Sequence, residues 1–231
     1  MPDWKLQVRF EGDCADDKMG TSVALSTDAN TIAAGAPYSN KLTGYVVVYQ
    51  ADKDGGKMMP LGKTIYGNAP DDQFGRSLDI SADGITLAVG FPGDWTENDQ
   101  PGYVRVYTLV SDGYLGSIWE QLGEDIIGEA KGDQFGASIS LSHDGKYLAV
   151  GAPTNDGRNG VNSGHVRIYH LTVSGTNVKS WEQVGQDIDG EAEGDISGYS
   201  VSLSEDAKTV AIGSTIGKNE AGDTSGHVRA H

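Results

Sequence analysis

Polar and apolar residues alternate with a period of two from Ala137 to Ser142, where Ser138 and Ser140 separate Ile139 from Leu141. This pattern predicts a half-buried β-strand. The run Leu148 to Pro153 is instead continuously apolar, as expected of an inner strand covered on both faces, and Pro153 ends it. Between the two, Ser142-His-Asp-Gly145 has the composition of a hairpin turn. Gly164 then opens a third strand, His165 to Tyr169, and a segment led by tryptophan, Trp181 to Ile188, supplies a fourth. No stretch carries a helical period.

The same pattern occurs four times. Equivalent glycines at Gly20, Gly75, Gly136 and Gly198 lie 55, 61 and 62 residues apart, and Gly35, Gly90, Gly151 and Gly213 keep those spacings. A third set, Gly44, Gly102, Gly164 and Gly226, runs at 58, 62 and 62. The turn recurs at Ser81 to Gly84 and, more loosely, at Ser26 to Ala29 and Ser204 to Ala207, and the fourth strand recurs at Trp119 to Ile126, Pro60 to Ile65 and Trp4 to Phe10. Helix-free units of four strands repeated at this period predict an all-β fold, a β-propeller of four four-stranded blades. Residues 1–231 then form one domain, with repeats at about 4–59, 60–118, 119–180 and 181–231. The glycines are expected where backbones pass closely, and Phe and Trp side chains between neighbouring blades. Because the chain opens in a fourth strand and stops in a third, the N-terminal strand is expected to close the last blade. A fragment of a larger propeller, for example a seven-bladed one, is the alternative.

Phe74-Gly75 and Phe135-Gly136, together with Gly35-Ala-Pro37 and Gly151-Ala-Pro153, resemble the FG-GAP repeat of integrin α-subunit propellers and related proteins. The resemblance extends over all four copies, with departures at Met19-Gly20, Ser197-Gly198, Gly90-Phe-Pro92 and Gly213-Ser-Thr215. It implies an extracellular or cell-surface binding and adhesion module without enzymatic activity, whose ligands meet the face bearing the loops between second and third strands. Calcium-binding members carry an aspartate-rich loop between the first two strands of a blade. Here the first three turns hold one central carboxylate each and the fourth holds Glu205 and Asp206, too few oxygen ligands to enclose calcium, so no metal site is carried over.

Composition narrows the partners. With 17 Lys plus Arg against 33 Asp plus Glu, the net charge of −16 disfavours nucleic acid and anionic membrane surfaces. Cys14 is the only cysteine, which leaves no intrachain disulfide, and no apolar run has transmembrane length. The expected partner is a protein or glycan ligand, with no cofactor. The chain is expected to be a monomer if it closes on itself, or a homodimer if a blade is completed in trans.

Residues repeated in every copy are best read as structural. Asp17, Asp72, Asp133 and Asp195 each precede a module glycine by three positions and are expected to accept hydrogen bonds that close loops, while Arg105, Arg167 and Arg229 are expected to donate between blades. His165 and His227 share a strand position with Tyr45 and Tyr103 and do not form a zinc pair. Gly62-Lys63-Thr64 lacks the first glycine and the helix of a phosphate loop, and no hydrolase or metalloprotease signature occurs, so no catalytic residue is assigned. Function in a repeat protein resides where the copies differ. The candidate ligand-binding residues therefore lie in the divergent loops: Asp94, Trp95 and Glu97 in the second copy, Asn155, Asp156, Arg158 and Asn159 in the third, and Lys218, Glu220 and Asp223 in the fourth. A glycan-processing enzyme with acidic residues at the channel mouth, and a structural unit of a larger assembly, are the alternative readings.

Overall fold

A computed structural model describes residues 8–52, 57–93, 101–112, 116–175, 178–217 and 223–231. It is an all-β, four-bladed propeller. The first blade contains β1 (Ser22–Leu25), β2 (Thr31–Ala36), β3 (Tyr45–Ala51), β4 (Met58–Pro60) and β5 (Ile65–Tyr66). The second contains β6 (Ser77–Ile80), β7 (Thr86–Phe91), β8 (Tyr103–Asp112), β9 (Gly116–Gln121) and β10 (Ile126–Ile127). In both, the outermost strand is broken into two pieces that pair with the same neighbour. The third blade has β11 (Ser138–Leu141), β12 (Tyr147–Ala152), β13 (His165–Val173) and a continuous outer strand β14 (Lys179–Asp189) that accommodates a register shift opposite Val166 and Ile168. The fourth has β15 (Ser197–Leu203), β16 (Val210–Ser214) and β17 (His227–Ala230). All pairings between these strands are antiparallel. Among the described residues the only helix is the single turn Ser39–Leu42.

Each first hairpin is closed by its own serine and aspartate. Ser142 Oγ donates to Asp144 Oδ1 at 2.8 Å, the Lys146 amide donates to the same oxygen at 3.1 Å, and the Tyr147 amide donates to Ser142 Oγ at 3.0 Å. Ser26 with Asp28, Ser81 with Asp83 and Ser204 with Asp206 do the same. These carboxylates complete the turn, and this role accounts for their recurrence.

Neighbouring blades are joined by one interface used three times. Ser22, Ser77 and Ser138 donate through Oγ to the carbonyls of Gly75, Gly136 and Gly198 at 2.6, 2.6 and 2.7 Å. Gly35, Gly90 and Gly151 lie against those carbonyls so closely that a Cβ would overlap them, while Gly75, Gly136 and Gly198 themselves hold φ of 85°, 90° and 89°, the region that favours glycine. Apolar side chains of each innermost strand share a core with the preceding blade: Leu78 and Ile80 with Ala33, Val46 and Val48, then Ile139 and Leu141 with Ala88, Val104 and Val106. Phe74 and Phe135 are fully buried, and the Trp119 and Trp181 indoles donate to the carbonyls of Leu61 and Leu122, each at 2.9 Å. The expected closing strand falls largely on residues 1–7, outside the described residues. Of its end, Phe10 stacks on Tyr49 of β3 with centroids 3.9 Å apart.

Candidate functional site

The loop-closing aspartates behave as their position predicts. Asp17, Asp72, Asp133 and Asp195 accept from the amides of Cys14, Ala69, Ala130 and Ala192 at 2.9, 3.0, 3.2 and 2.8 Å. In the first two blades a tyrosine from the third strand also reaches this carboxylate: Tyr45 Oη donates to Asp17 at 3.0 Å and Tyr103 Oη to Asp72 at 3.2 Å. Burial pushes the Tyr45 hydroxyl up to about 12, so it remains a donor.

The third blade solves the same problem differently. His165 replaces the tyrosine and neither of its ring nitrogens has a partner, although the side chain is buried. Burial, with Arg167 nearby, holds its pKa below the usual value. Asn155 supplies the missing donor from the β12–β13 loop, its Nδ2 reaching Asp133 Oδ2 at 2.7 Å and Glu129 Oε1 at 2.9 Å. The loop is held further by Asn159 Nδ2, which donates to the Gly190 carbonyl at 2.7 Å, and by the Asn162 amide, which donates to Asp156 Oδ1 at 2.9 Å.

Arg167 binds Asp187 with two parallel hydrogen bonds, at 2.8 and 2.7 Å, and reaches Glu129 with the same Nη2. Its guanidinium holds both carboxyls below the ordinary carboxylate range, whereas burial raises Asp133 beside them. Donor atoms of Glu129, His165 and Asp187 fall within 4.8 Å of one another, a spacing compatible with a metal ion. A cation there would have to displace the guanidinium from both carboxylates, so the cluster is better described as an ion-pair network. Arg105 makes the equivalent two-pronged pair with Asp125 inside its own blade, whereas Arg229 donates to the Asp189 carbonyl of the preceding blade.

This network forms one wall of a cavity of about 600 Å³. Asn155, Asp156 and Arg158 enter it from the β12–β13 loop, and Gln183, Asp187 and Asp189 from β14. Three of the expected ligand-binding residues are thus brought together. Asp156 and Arg158 are exposed there, whereas Asn155 is buried and shapes the loop. Asn159 is exposed and pins the loop from outside the cavity, and exposed Asp223 on the fourth blade lines neither this cavity nor the next. Asp94, Trp95, Glu97, Lys218 and Glu220 lie outside the described residues.

A second cavity, of about 410 Å³, was not anticipated from the sequence. All four blades line it, through Tyr38, Arg76, Ala137 and Tyr199 among others, which places it where the blades converge. Thr154 borders this cavity and Asn155 the first, so both open beside the same loop.

Comparison with known proteins agrees with this architecture. Residues 128–169 match the model of the FG-GAP repeat family. That segment of the chain is similar to one FG-GAP repeat. The matched segment contains Glu129, Asp133, Asn155, His165 and Arg167 of the third blade's network, whereas Asp187 lies beyond it. No curated protein sequence matches the chain. Among solved structures, it is similar to a putative 6-phosphogluconolactonase from Bacteroides uniformis, with a TM-score of 0.52 and 15% identity over 91% of this chain and 57% of that one. It is also similar to Sqt1 from Chaetomium thermophilum, with a TM-score of 0.52 and 16% identity over 87% of this chain and 43% of that one. The chain thus spans about half the length of these structures, and at such identities the likeness concerns the fold alone.

Proposed function

We propose that this FG-GAP propeller is a non-enzymatic binding module that receives a protein partner on the face bearing the β12–β13 loop. The observation that carries this reading is the convergence of Asp156 and Arg158 with Glu129, Asp187 and Asp189 around one open cavity. Its four carboxylates outnumber the guanidinium groups of Arg158 and of Arg167 behind them, and this excess suits a lysine or arginine side chain presented by a partner. Among the described residues the lining includes no aromatic ring on which a sugar would stack, which favours a basic protein segment over a glycan. An extracellular or cell-surface setting, and a role in adhesion, follow from the integrin-like resemblance and belong to the same proposal.

A glycan-processing reading would require a carboxyl kept protonated near neutral pH. Arg167 favours the ionised forms of Glu129 and Asp187, which supports binding over acid catalysis. Titration calorimetry with lysine- and arginine-rich peptides and a panel of neutral oligosaccharides tests the proposal. Saturable peptide binding that is lost in Asp156→Ala and kept in Arg158→Ala, with the circular dichroism spectrum unchanged, is the expected result. Binding confined to the oligosaccharides, or peptide binding indifferent to these substitutions, would overturn it.

A further inference from the structure

The side chain of Asn155 has two ends, and only one of them belongs to the ion-pair network. Its Nδ2 donates to Asp133 and Glu129, which fixes the amide and turns Oδ1 away from both carboxylates. That oxygen is buried and has no hydrogen-bond partner among the described residues. Ser163 Oγ, at the far end of the β12–β13 loop, is in the same state. The two residues are 3% and 0% exposed, and buried polar atoms left unmet are costly enough that each calls for an explanation.

Both oxygens converge beside Gly157. A Cβ built there would stand 2.7 Å from Ser163 Oγ, 3.3 Å from Asp189 Oδ1 and 3.5 Å from Asn155 Oδ1, so its three nearest neighbours are all oxygens. The backbone at Gly157 lies outside the left-handed region, and glycine therefore serves the space here and not the turn. Asp189, the last residue of β14, brings the negative charge. Ser163 and Asp189 directly precede Gly164 and Gly190, and the residues before the equivalent glycines are Thr43 and Tyr66 in the first blade and Pro101 and Ile127 in the second. Neither of those blades can assemble the set, because Tyr66 and Ile127 bring no carboxylate.

We propose that Asn155 Oδ1, Ser163 Oγ and Asp189 Oδ1 are ligands of a hard divalent cation, calcium in preference to magnesium. A donor set made only of oxygens selects a hard cation over one that seeks thiolate or imidazole. The uneven spacing suits calcium, whose coordination is flexible, better than magnesium, which demands a near-ideal octahedron. Asn155, Gly157 and Asp189 also line the larger cavity, so water from that side completes the coordination. Asp133 and Glu129 polarise the Asn155 amide and hold its oxygen towards the ion. Unlike the cluster of Glu129, His165 and Asp187, this arrangement displaces no guanidinium. Bound there, the cation ties the β12–β13 loop to the end of β14. With one charged and two neutral protein ligands, its affinity is expected on the order of 10⁻⁴–10⁻³ M.

Titration calorimetry of calcium chloride into the full chain, with thermal melts alongside, tests this by reading metal binding directly, apart from any peptide capture. Saturable binding and a melting temperature that rises with calcium concentration are expected. Asp189→Asn should weaken the binding about tenfold or more, with the circular dichroism spectrum unchanged. Ser163→Ala should weaken it by a smaller factor while the melting temperature without calcium stays near that of the parent chain, because Ser163 Oγ has no hydrogen bond to lose. A melting shift reproduced by potassium chloride at equal ionic strength would mark mere screening of the net charge of −16 and overturn the proposal. So would the absence of saturable binding up to about 10 mM calcium, magnesium bound as tightly as calcium, or binding indifferent to both substitutions.

Discussion

The first two blades and the third close the same loop by different means. In the former, a tyrosine on the third strand carries its hydroxyl to the loop aspartate. In the latter, His165 is too short for this task and Asn155 reaches Asp133 from the β12–β13 loop. A hydrogen bond that elsewhere fixes only the frame therefore also fixes a divergent loop. The difference teaches that a surface loop can be held rigid by taking over a duty of the scaffold, which leaves Asp156 and Arg158 displayed on a fixed support.

The largest effect should come from the part that the blades share. Phe135→Ala is expected to cost about 3–5 kcal/mol in denaturant unfolding, because a fully buried ring leaves a cavity between blades. Next, Asn155→Ala should cost about 1–3 kcal/mol, since it removes hydrogen bonds to two carboxylates, Asp133 and Glu129, although Asp133 keeps the Ala130 amide. Tyr103→Phe should cost about 1 kcal/mol, the net value of one hydrogen bond, because Asp72 keeps the Ala69 amide. Adding His165→Tyr to Asn155→Ala sharpens the comparison. If the two donors are interchangeable, the double variant should recover on the order of 1 kcal/mol relative to Asn155→Ala, and additive losses would refute the equivalence.

Acidification probes the network behind the loop. Glu129 and Asp187 have pKa values lowered from 4.5 and 3.8, first by hydrogen bonds from Arg167. Their contribution is complete above those unfolded values and is lost as pH falls through the lower folded ones. The melting temperature should therefore drop below about pH 4, and Arg167→Met should flatten this part of the profile. The raised Asp133 works in the opposite sense, gaining stability on protonation, so Asp133→Asn should steepen the acid loss. Smaller still, Asp156→Ala should cost at most about 1 kcal/mol, the net value of the Asn162 amide bond, while weakening capture of a basic peptide, and Arg158→Ala should stay within about 0.5 kcal/mol of the parent chain, as exposed positions do.

Much of the frame can be read directly from the chain. The glycine triplets mark the blades because backbone packing at Gly35, Gly90 and Gly151 leaves no space for a Cβ, and the alternation at Ile139 and Leu141 marks a strand with one buried face. The equivalence of His165 with Tyr45 and Tyr103 is equally visible, but not the fact that its nitrogens stay without partners. That depends on side-chain reach. Asn155 and Glu129 are 26 residues apart, and no local pattern announces that they meet. A partial signal does exist for Asp187, which follows Arg167 by 20 residues as Asp125 follows Arg105. The central cavity draws on all four blades, so it emerges only once the copies are set around an axis.

The serine-to-glycine stitches between blades also bear on how the fold is assembled. They join residues 53, 59 and 60 positions apart, and the indole links of Trp119 and Trp181 span 58 and 59. Each of these long-range bonds therefore needs only one further repeat of chain before it can form. Blades are expected to dock in succession as the polypeptide emerges from the ribosome, with each finished blade serving as the template surface for the next.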